Sequence, residues 1–469
     1  MKKSIVIAVM LLAAALAIHC AKPPRHAKVL ILGAGAAGIS AAKYLHDHGV
    51  NDFIIIDAEN HIGGRVKATE FGDKKIELGA NWVHGTDGNP LWDLTKKYNL
   101  SGIISNQENL MVRDATGNDV TREAFKISAK LMKAIDGAQV LAAFMTQNKM
   151  ADIPESAALH YGGWPMRRTT LETALETAHL GYGNAATPEM TSVLHYQTMQ
   201  DNFAHKDFFV TDQRGFGFIL EKLADEFLTN RDRQLILNET ISKVAYGSSR
   251  SGVKVETKTG KIFTGDYAIC TFSIGVMQSD AVNFIPRLSP QKQVAFDSFG
   301  MGTYTKIFMR FDKKVQRFWD NKEYIVFAHP TKGYYTLWQS LEAEGLHPAG
   351  TNMLLATVFG DEADRVSRLS VDTVKAELTA VLRSMYGAQV PEPVEIIVPD
   401  WHTNPLYFGT YTNWPPWMSA ENHALMSAPL NDKLYFAGEG YSATAFGYVH
   451  GAMHSGNQTA KEVLSKINR

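Results

Sequence analysis

Apolar positions fall in blocks whose spacing changes along the chain. Residues 28–32 (KVLIL) form a short continuous apolar run, as expected of a strand buried on both faces. Gly33-Ala34-Gly35-Ala36-Ala37-Gly38 follows at once. A 3.6-residue spacing then predicts a helix over about 37–48, stopped by Gly49. A second apolar run at 53–56 ends on Asp57, so strand, glycine turn, helix and strand make one βαβ unit. Helical spacing recurs over 121–149 and 170–181, separated by a loop around 161–165 that holds Trp164 and Pro165. Short alternating runs predict strands over 235–272, with turns at Gly247 and Gly260. Strands dominate again over 301–359, and an amphipathic helix follows over 371–386. The run 434–437 leads through a glycine-rich turn into a last helix.

This order predicts an α/β protein of two interleaved domains. A Rossmann-type nucleotide domain would combine 27–110, 211–300 and 401–469, and an α+β substrate domain would combine 111–210 and 301–400. A chain of 469 residues exceeds what one core usually holds. Residues 1–21 read as a signal peptide: Lys2 and Lys3 precede an apolar run at 5–18, shorter than the roughly 20 residues that span a bilayer. The expectation is a secreted or lumenal protein without stable membrane insertion, an uncleaved anchor being the alternative. No clean cleavage site stands at His19 or Cys20. Cys20 and Cys270 are the two cysteines, so no disulfide is expected in the mature chain. Acceptor sequons occur at Asn99, Asn238 and Asn457; the last falls on the final helix and is expected to stay unmodified. A net charge of −1 offers nucleic acid or an acidic membrane no general attraction. A cationic ligand would have to be drawn by local carboxylates or aromatics. No metal-ligand cluster stands out, and oligomeric state is open.

Gly33, Gly35 and Gly38 each answer a physical demand: a tight turn, close approach of backbone to a pyrophosphate, and close packing of helix on strand. The first helical turn, with Ala37, offers free N–H groups and a positive dipole end to the phosphates. Asp57 ends the next strand, placed for ribose hydroxyls. A glycine turn without a ligand is the competing reading. FAD and NAD share this fingerprint. The choice between them rests on HIGGR (61–65), ELGANWVHG (77–85), DQRG (212–215), MGTYTKIF (301–308), YFAGE (435–439) and GYVHGA (447–452). With these stretches in this order, the chain after its leader resembles the flavin-dependent amine oxidases, and among them it is most similar to the polyamine oxidases.

The resemblance implies FAD. Asp57 occupies the ribose-binding position, usually Glu, with a shorter reach. Arg65 would meet the phosphates or ribityl chain, and Gly79, Ala80 and Trp82 would line the flavin. Ile241 would contact the adenine through its backbone, and Glu439 would bind the ribityl–phosphate region. Tyr448 and Val449 would open the last helix toward the pyrimidine end of the ring, where reduced flavin carries negative charge. Some relatives attach FAD through a Cys after the C-terminal Gly-Glu. Residues 438–445 hold none, so the FAD should be non-covalent.

Amine oxidation needs a neutral amine over the flavin, so that a hydride equivalent reaches N5. The imine is then hydrolysed, and O2 becomes H2O2. Lys306 is the leading catalytic candidate. Tyr304, Lys306 and Phe308 share one face of a predicted strand, and a Lys among such neighbours needs a partner if buried. In the resembling family the Lys of this motif holds a water against N5; a surface Lys on an edge strand is the other reading. Trp401 and Tyr411, with Tyr448 opposite, match aromatic positions near the flavin that would pack substrate carbons and tolerate their charge. His84 stands where plant-type members carry a substrate-binding Glu and animal-type members tend to have His. The second plant-type acid is not evident near 184–189. The expected partners are therefore a small-molecule amine and O2, with spermine, spermidine or an acetylated form first. Oxidation of a monoamine or amino acid is the second reading, and a redox-silent FAD scaffold the third. No cation to clamp an amino acid's carboxylate is identifiable, and no chromatin-reading domain or coiled-coil insertion suggests histone demethylation.

Overall fold

The KVLIL run is the C-terminal part of a longer strand, Arg25–Leu32, whose last four residues are fully buried. It pairs in parallel with Phe53–Ile56 on one side and with Ile262–Cys270 on the other. Its apolar end, Val29–Leu32, is tolerated here because helices cover the sheet. Eight strands make this sheet, in the order Asn283–Ile285, Ile241–Tyr246, Val253–Thr257, Ile262–Cys270, Arg25–Leu32, Phe53–Ile56, Leu235–Ile236. The eighth, Leu434–Phe436, pairs in parallel with the end of Ile262–Cys270. The computed structural model describes residues 24–106, 108–195, 203, 206–247, 252–347 and 350–469. The signal peptide expected at 1–21, with Cys20, lies outside them. Among the described residues no helix is long and apolar enough to cross a membrane.

Two helices pack on one face of this sheet and on each other: Ala36–Asp47 and the C-terminal Val449–Ile467. Their contact needs glycine. A Cβ at Gly456 would lie 2.2 Å from the Ala37 carbonyl oxygen, and one at Gly38 would lie 2.0 Å from that of Gly33. Gly49, predicted as the helix stop, has φ 85°, a left-handed conformation that favours glycine.

A second sheet carries Glu395–Ile397, Tyr304–Arg310, Met353–Phe359, Leu337–Ser340, Tyr324–Ala328 and Leu110–Asp114 in that order, antiparallel except for the last pair. The helix Val371–Tyr386 buries Val374, Leu378, Val381 and Leu382 in a core shared with this sheet. The predicted helix over 121–149 runs Thr121–Gln147. The one predicted over 170–181 is α-helical only to Glu176 and widens into a π-turn at Thr177–Gly181. Gly181 lets that turn press on Phe359, where a Cβ would sit 2.1 Å from the ring. A short helix, Glu155–Tyr161, was not anticipated from spacing. Between the sheets, Trp82–Val83, Phe208–Val210 and Gly102–Ile104 form a small antiparallel strap. Asn99, Asn238 and Asn457 are all exposed.

Lys292 joins two helices that the pattern did not connect. It lies on Pro290–Ser298, is 2% exposed, and donates to the carbonyls of Leu425, Met426 and Ala428 at 2.9, 2.9 and 2.6 Å. Those carbonyls close the helix Ala420–Ser427, whose C-terminal dipole favours a cation. Burial depresses the ammonium pKa to about 8. Lys292→Met keeps the side-chain volume but removes three donors at once. We expect a loss of about 3 kcal/mol in chemical denaturation with flavin content unchanged.

Candidate active site

One cavity of about 1230 Å3 runs from the Ala36–Asp47 helix to the second sheet. Its wall contains Gly33, Gly35, Ala37, Asp57, Arg65, Gly79, Ala80, Trp82, His84, Ile241, Tyr304, Lys306, Trp401, Tyr411, Glu439, Tyr448 and Val449. Of the residues singled out from the sequence, Gly38 alone stays off the wall; it packs helix on strand against Gly33 and Ile31.

The cavity suits a long anionic dinucleotide at one end. Gly35 is the N-cap of the Ala36–Asp47 helix and Tyr448 that of the Val449–Ile467 helix, and neither makes a side-chain capping bond. Two helix N-termini therefore offer N–H groups and positive dipole ends to the same space. A Cβ at Gly35 would meet nothing nearer than 3.9 Å, so this backbone stands open to a close-lying group. The Asp57 carboxylate accepts from the Ala34 N–H at 2.5 Å and the Glu59 N–H at 2.7 Å. Burial still raises its pKa, against those two bonds. Each of its oxygens retains a second lone pair for a hydroxyl. Glu59 also lines this end, held by Lys67 and by the Tyr407 hydroxyl at 2.9 Å.

Glu439 is the polar anchor of the middle. Arg65 donates to its Oε1 at 2.8 Å, while the Thr412 N–H, the Thr412 hydroxyl and the Gly447 N–H converge on Oε2. Arg65 also donates to the Thr410 carbonyl. Glu439 thus fixes the turn ahead of the C-terminal helix and the Arg65 guanidinium together. These groups fit FAD: acids at the ribose end, bare helix ends and Arg65 for the pyrophosphate, Gly79, Ala80 and Trp82 at the ring. Cys270 is fully buried and no cysteine lines the wall.

Lys306 lies on Tyr304–Arg310, 5% exposed, not on an edge strand at all. Its Nζ donates to the Gly79 carbonyl at 2.5 Å and to Asn81 Oδ1 at 3.0 Å. Burial holds the ammonium well below the ordinary lysine range, opposed by the charge of Glu77. Around it stands an aromatic cage. The Tyr304 ring lies 5.7 Å from that of Tyr411 and 5.9 Å from that of Tyr182, and the Tyr411 hydroxyl faces the Tyr182 and Gly183 carbonyls. Trp401 is buried against Tyr407 and close to Gly79.

Carboxylates stand on two sides of the cage, and sequence reasoning missed both. His84 Nδ1 is 3.3 Å from Asp207 Oδ1, with the Tyr448 ring edge-on to His84 at 5.0 Å. Burial pushes Asp207 up, but the bonds from His84 and the Gly85 N–H outweigh it and leave its pKa below normal. Asp207 borders the Phe208–Val210 strand, and only the pairing of that strand with Trp82–Val83 brings it to His84. On the other side Asn184 lines the cavity with its Oδ1 buried and unpartnered. Its Nδ2 is 3.5 Å from Glu155, which is 2% exposed. Burial, then the charges of Glu176 and Glu189, raise the Glu155 pKa to about 8.

The raised Glu155 pKa has a sign. Unfolded, the carboxyl titrates near 4.5; folded, near 8, so stability falls as pH rises between them. Glu155→Gln should therefore stabilise the fold at pH 8 by at least about 2 kcal/mol and hardly at all near pH 4.5, read by denaturation at both. At the anchor, Glu439→Ala strands four donors and frees Arg65. We expect purified protein with most of its flavin lost, measured by absorbance per polypeptide, and stability about 3 kcal/mol lower.

Comparison with known proteins gives the same picture. The family model described as flavin containing amine oxidoreductase matches residues 36–464. Polyamine oxidase 1 of Zea mays is 32% identical, the alignment covering 98% of this chain and 95% of the relative. Polyamine oxidase 7 of Oryza sativa subsp. japonica is also 32% identical, over 92% and 93%. The solved structure of wild-type putrescine oxidase bound to putrescine superposes with a TM-score of 0.76, covering 94% of this chain and all of that one at 18% identity. The interleaved two-domain fold, with a Rossmann-type sheet and an α+β partner, is shared with that enzyme. From the match over nearly its whole length and the cavity built for non-covalent FAD, the chain belongs to the flavin-containing amine oxidoreductases, as an amine oxidase.

Proposed function

We propose that this amine oxidase acts on a polyamine, with spermine, spermidine or an acetylated derivative as substrate. The overall change is a secondary amine plus O2 and water going to an aldehyde, a primary amine and H2O2. FAD, when bound, supplies the two-electron acceptor for the C–H bond next to nitrogen. The chain's own groups do the rest. Tyr182, Tyr304 and Tyr411 pack the methylenes and present ring faces to the positive charge. Lys306, beside them, holds or moves a proton at Nζ in a site where water is scarce.

One observation carries the polyamine reading. The cage is bounded by Asp207 with His84 on one side and by Asn184 backed by Glu155 on the other. A substrate with two or more nitrogens would place one cation near Asp207 and another against the Asn184 amide. Asn184 puts a polar side chain on the wall for a distal ammonium. An amino acid would need a cation for its carboxylate. The cationic Lys and Arg side chains on the described wall are Arg65, Lys258 and Lys306; Arg65 is paired with Glu439, and Lys306 is hydrogen-bonded to Gly79 and Asn81. Passage through the secretory pathway belongs to this proposal and rests on the leader sequence alone.

Anaerobic mixing tests the reading. Spermine, spermidine, acetylspermine, benzylamine and amino acids are each added to the purified flavoprotein. Bleaching by the first three at least tenfold faster than by the others supports it, and bleaching by benzylamine or an amino acid alone overturns it. Lys306→Met should slow turnover at least about a hundredfold at unchanged flavin content. Unchanged kinetics would remove Lys306 from the chemistry.

A further inference from the structure

Lys306 and Asn81 line two cavities at once. Besides the large one there is a second, of about 10 Å3, near the size of a single water. Glu77, Lys75, Asp212 and His347 also line the small cavity. Glu77 closes the strand Lys74–Glu77 and is 8% exposed. Its Oε1 accepts from the Phe216 N–H at 2.6 Å, whereas Oε2 is buried with no hydrogen-bond partner. Buried carboxylate oxygens are ordinarily satisfied, so an orphan on a residue that lines a polar, water-sized space shared with a buried ammonium requires an account.

The neighbouring charges are engaged elsewhere. Asp212 accepts from Arg214 and from the Ser101 N–H, and its pKa is lowered. Lys75 lies 3.8 Å from Glu70. Burial and then Lys74 lower the pKa of His347, keeping that ring neutral. Glu77 and Lys306 are left as the pair whose charges act on each other across the small cavity. Burial raises the carboxyl and lowers the ammonium, which brings their proton affinities together. The Lys306 bonds favour the exchange. An ammonium has three N–H donors and a neutral amine has two, and Gly79 and Asn81 take two. Losing one proton breaks neither bond.

We propose that Glu77 is the proton acceptor behind Lys306, so that a proton taken by Lys306 from a substrate ammonium in the large cavity moves on across the small cavity to Glu77 Oε2. In the first transfer the substrate N–H bond breaks and an Nζ–H bond forms. In the second a water in the small cavity is the relay: an Nζ–H bond breaks as the water takes that proton, and one of the water's own O–H bonds breaks as an Oε2–H bond forms, the electron pair staying on nitrogen. That step converts an ammonium–carboxylate pair into an amine and a carboxylic acid with no change in net charge, which a buried site favours. Glu77 acts through Lys306 and contacts neither substrate nor FAD. The source of the proton rests on the amine-oxidase reading above.

Glu77→Gln tests this, because Gln keeps the acceptor for Phe216 and cannot take a proton. Infrared spectra of the holoenzyme between pH 5 and 9 should show a protonated-carboxyl band, shifted in D2O, that disappears in Glu77→Gln and changes its pH midpoint in Lys306→Met. In turnover, kcat should fall at least tenfold with KM within twofold. The pH at which kcat is half-maximal should move down, since the Glu77 charge that supports the Lys306 ammonium is gone. Glu77→Asp should recover part of kcat. Spectra without the Glu77 band, or an unmoved pH profile, overturn the proposal, as does equal loss in Gln and Asp. The infrared arm needs no substrate, so failure of the polyamine reading and failure of this one are told apart.

Discussion

A Cβ at Gly456 would stand 2.2 Å from the Ala37 carbonyl oxygen, and the architecture of the cavity depends on that absence. The contact lets the Ala36–Asp47 and Val449–Ile467 helices lie backbone to backbone on one sheet, although more than 400 residues of chain separate them. Because they pack so closely, their N-termini open into the same space, and neither is capped by a side chain. Uncapped N–H groups are a liability in a protein without a ligand and an asset in one that binds an anionic cofactor. The Gly33 turn and the Glu439 anchor serve the same space: one leaves backbone open beside the helix end, the other holds Arg65 and the Gly447 turn.

The second sheet completes what the first begins. Tyr304–Arg310 carries Lys306 to the joint between the domains, where its partners, Gly79 and Asn81, come from the nucleotide-domain segment. The ammonium is thus solvated by a backbone carbonyl and a side-chain amide of the other domain. Separating the domains would strand it, so the same two bonds serve stability and chemistry. Aromatic rings then fill part of the remaining wall, with Asp207 on it and Glu155 behind Asn184.

Much of this was legible along the chain. The apolar run, glycine turn and acid at Asp57 specify a βαβ unit through local geometry, and the structure has strands at Arg25–Leu32 and Phe53–Ile56 with a helix between. Period-two spacing put Tyr304 and Lys306 on one face, and the amphipathic stretch 371–386 is a helix over those same residues. These features are local, so residue spacing suffices to reveal them. The π-turn at Thr177–Gly181 escaped because helical spacing does not register a widened turn, which depends on Phe359 from another segment.

The groups missed at the site share one property: each acquires its role from a partner far away in sequence. Asp207 matters because a strand pairing sets it beside His84; Glu155, and away from the site Lys292, matter because burial removes water from charges that look ordinary in a string of letters. Glu77 read as part of a motif, and only the tertiary structure left its Oε2 without a partner beside a cavity shared with Lys306. The sequence by itself determined the nucleotide unit, the strand bearing Lys306 and the family, since those are written in spacing and in runs of adjacent residues. Tertiary structure decided which acids border the cavity and how burial shifts their proton affinity, because desolvation and charge pairing are properties of the folded space and not of the chain.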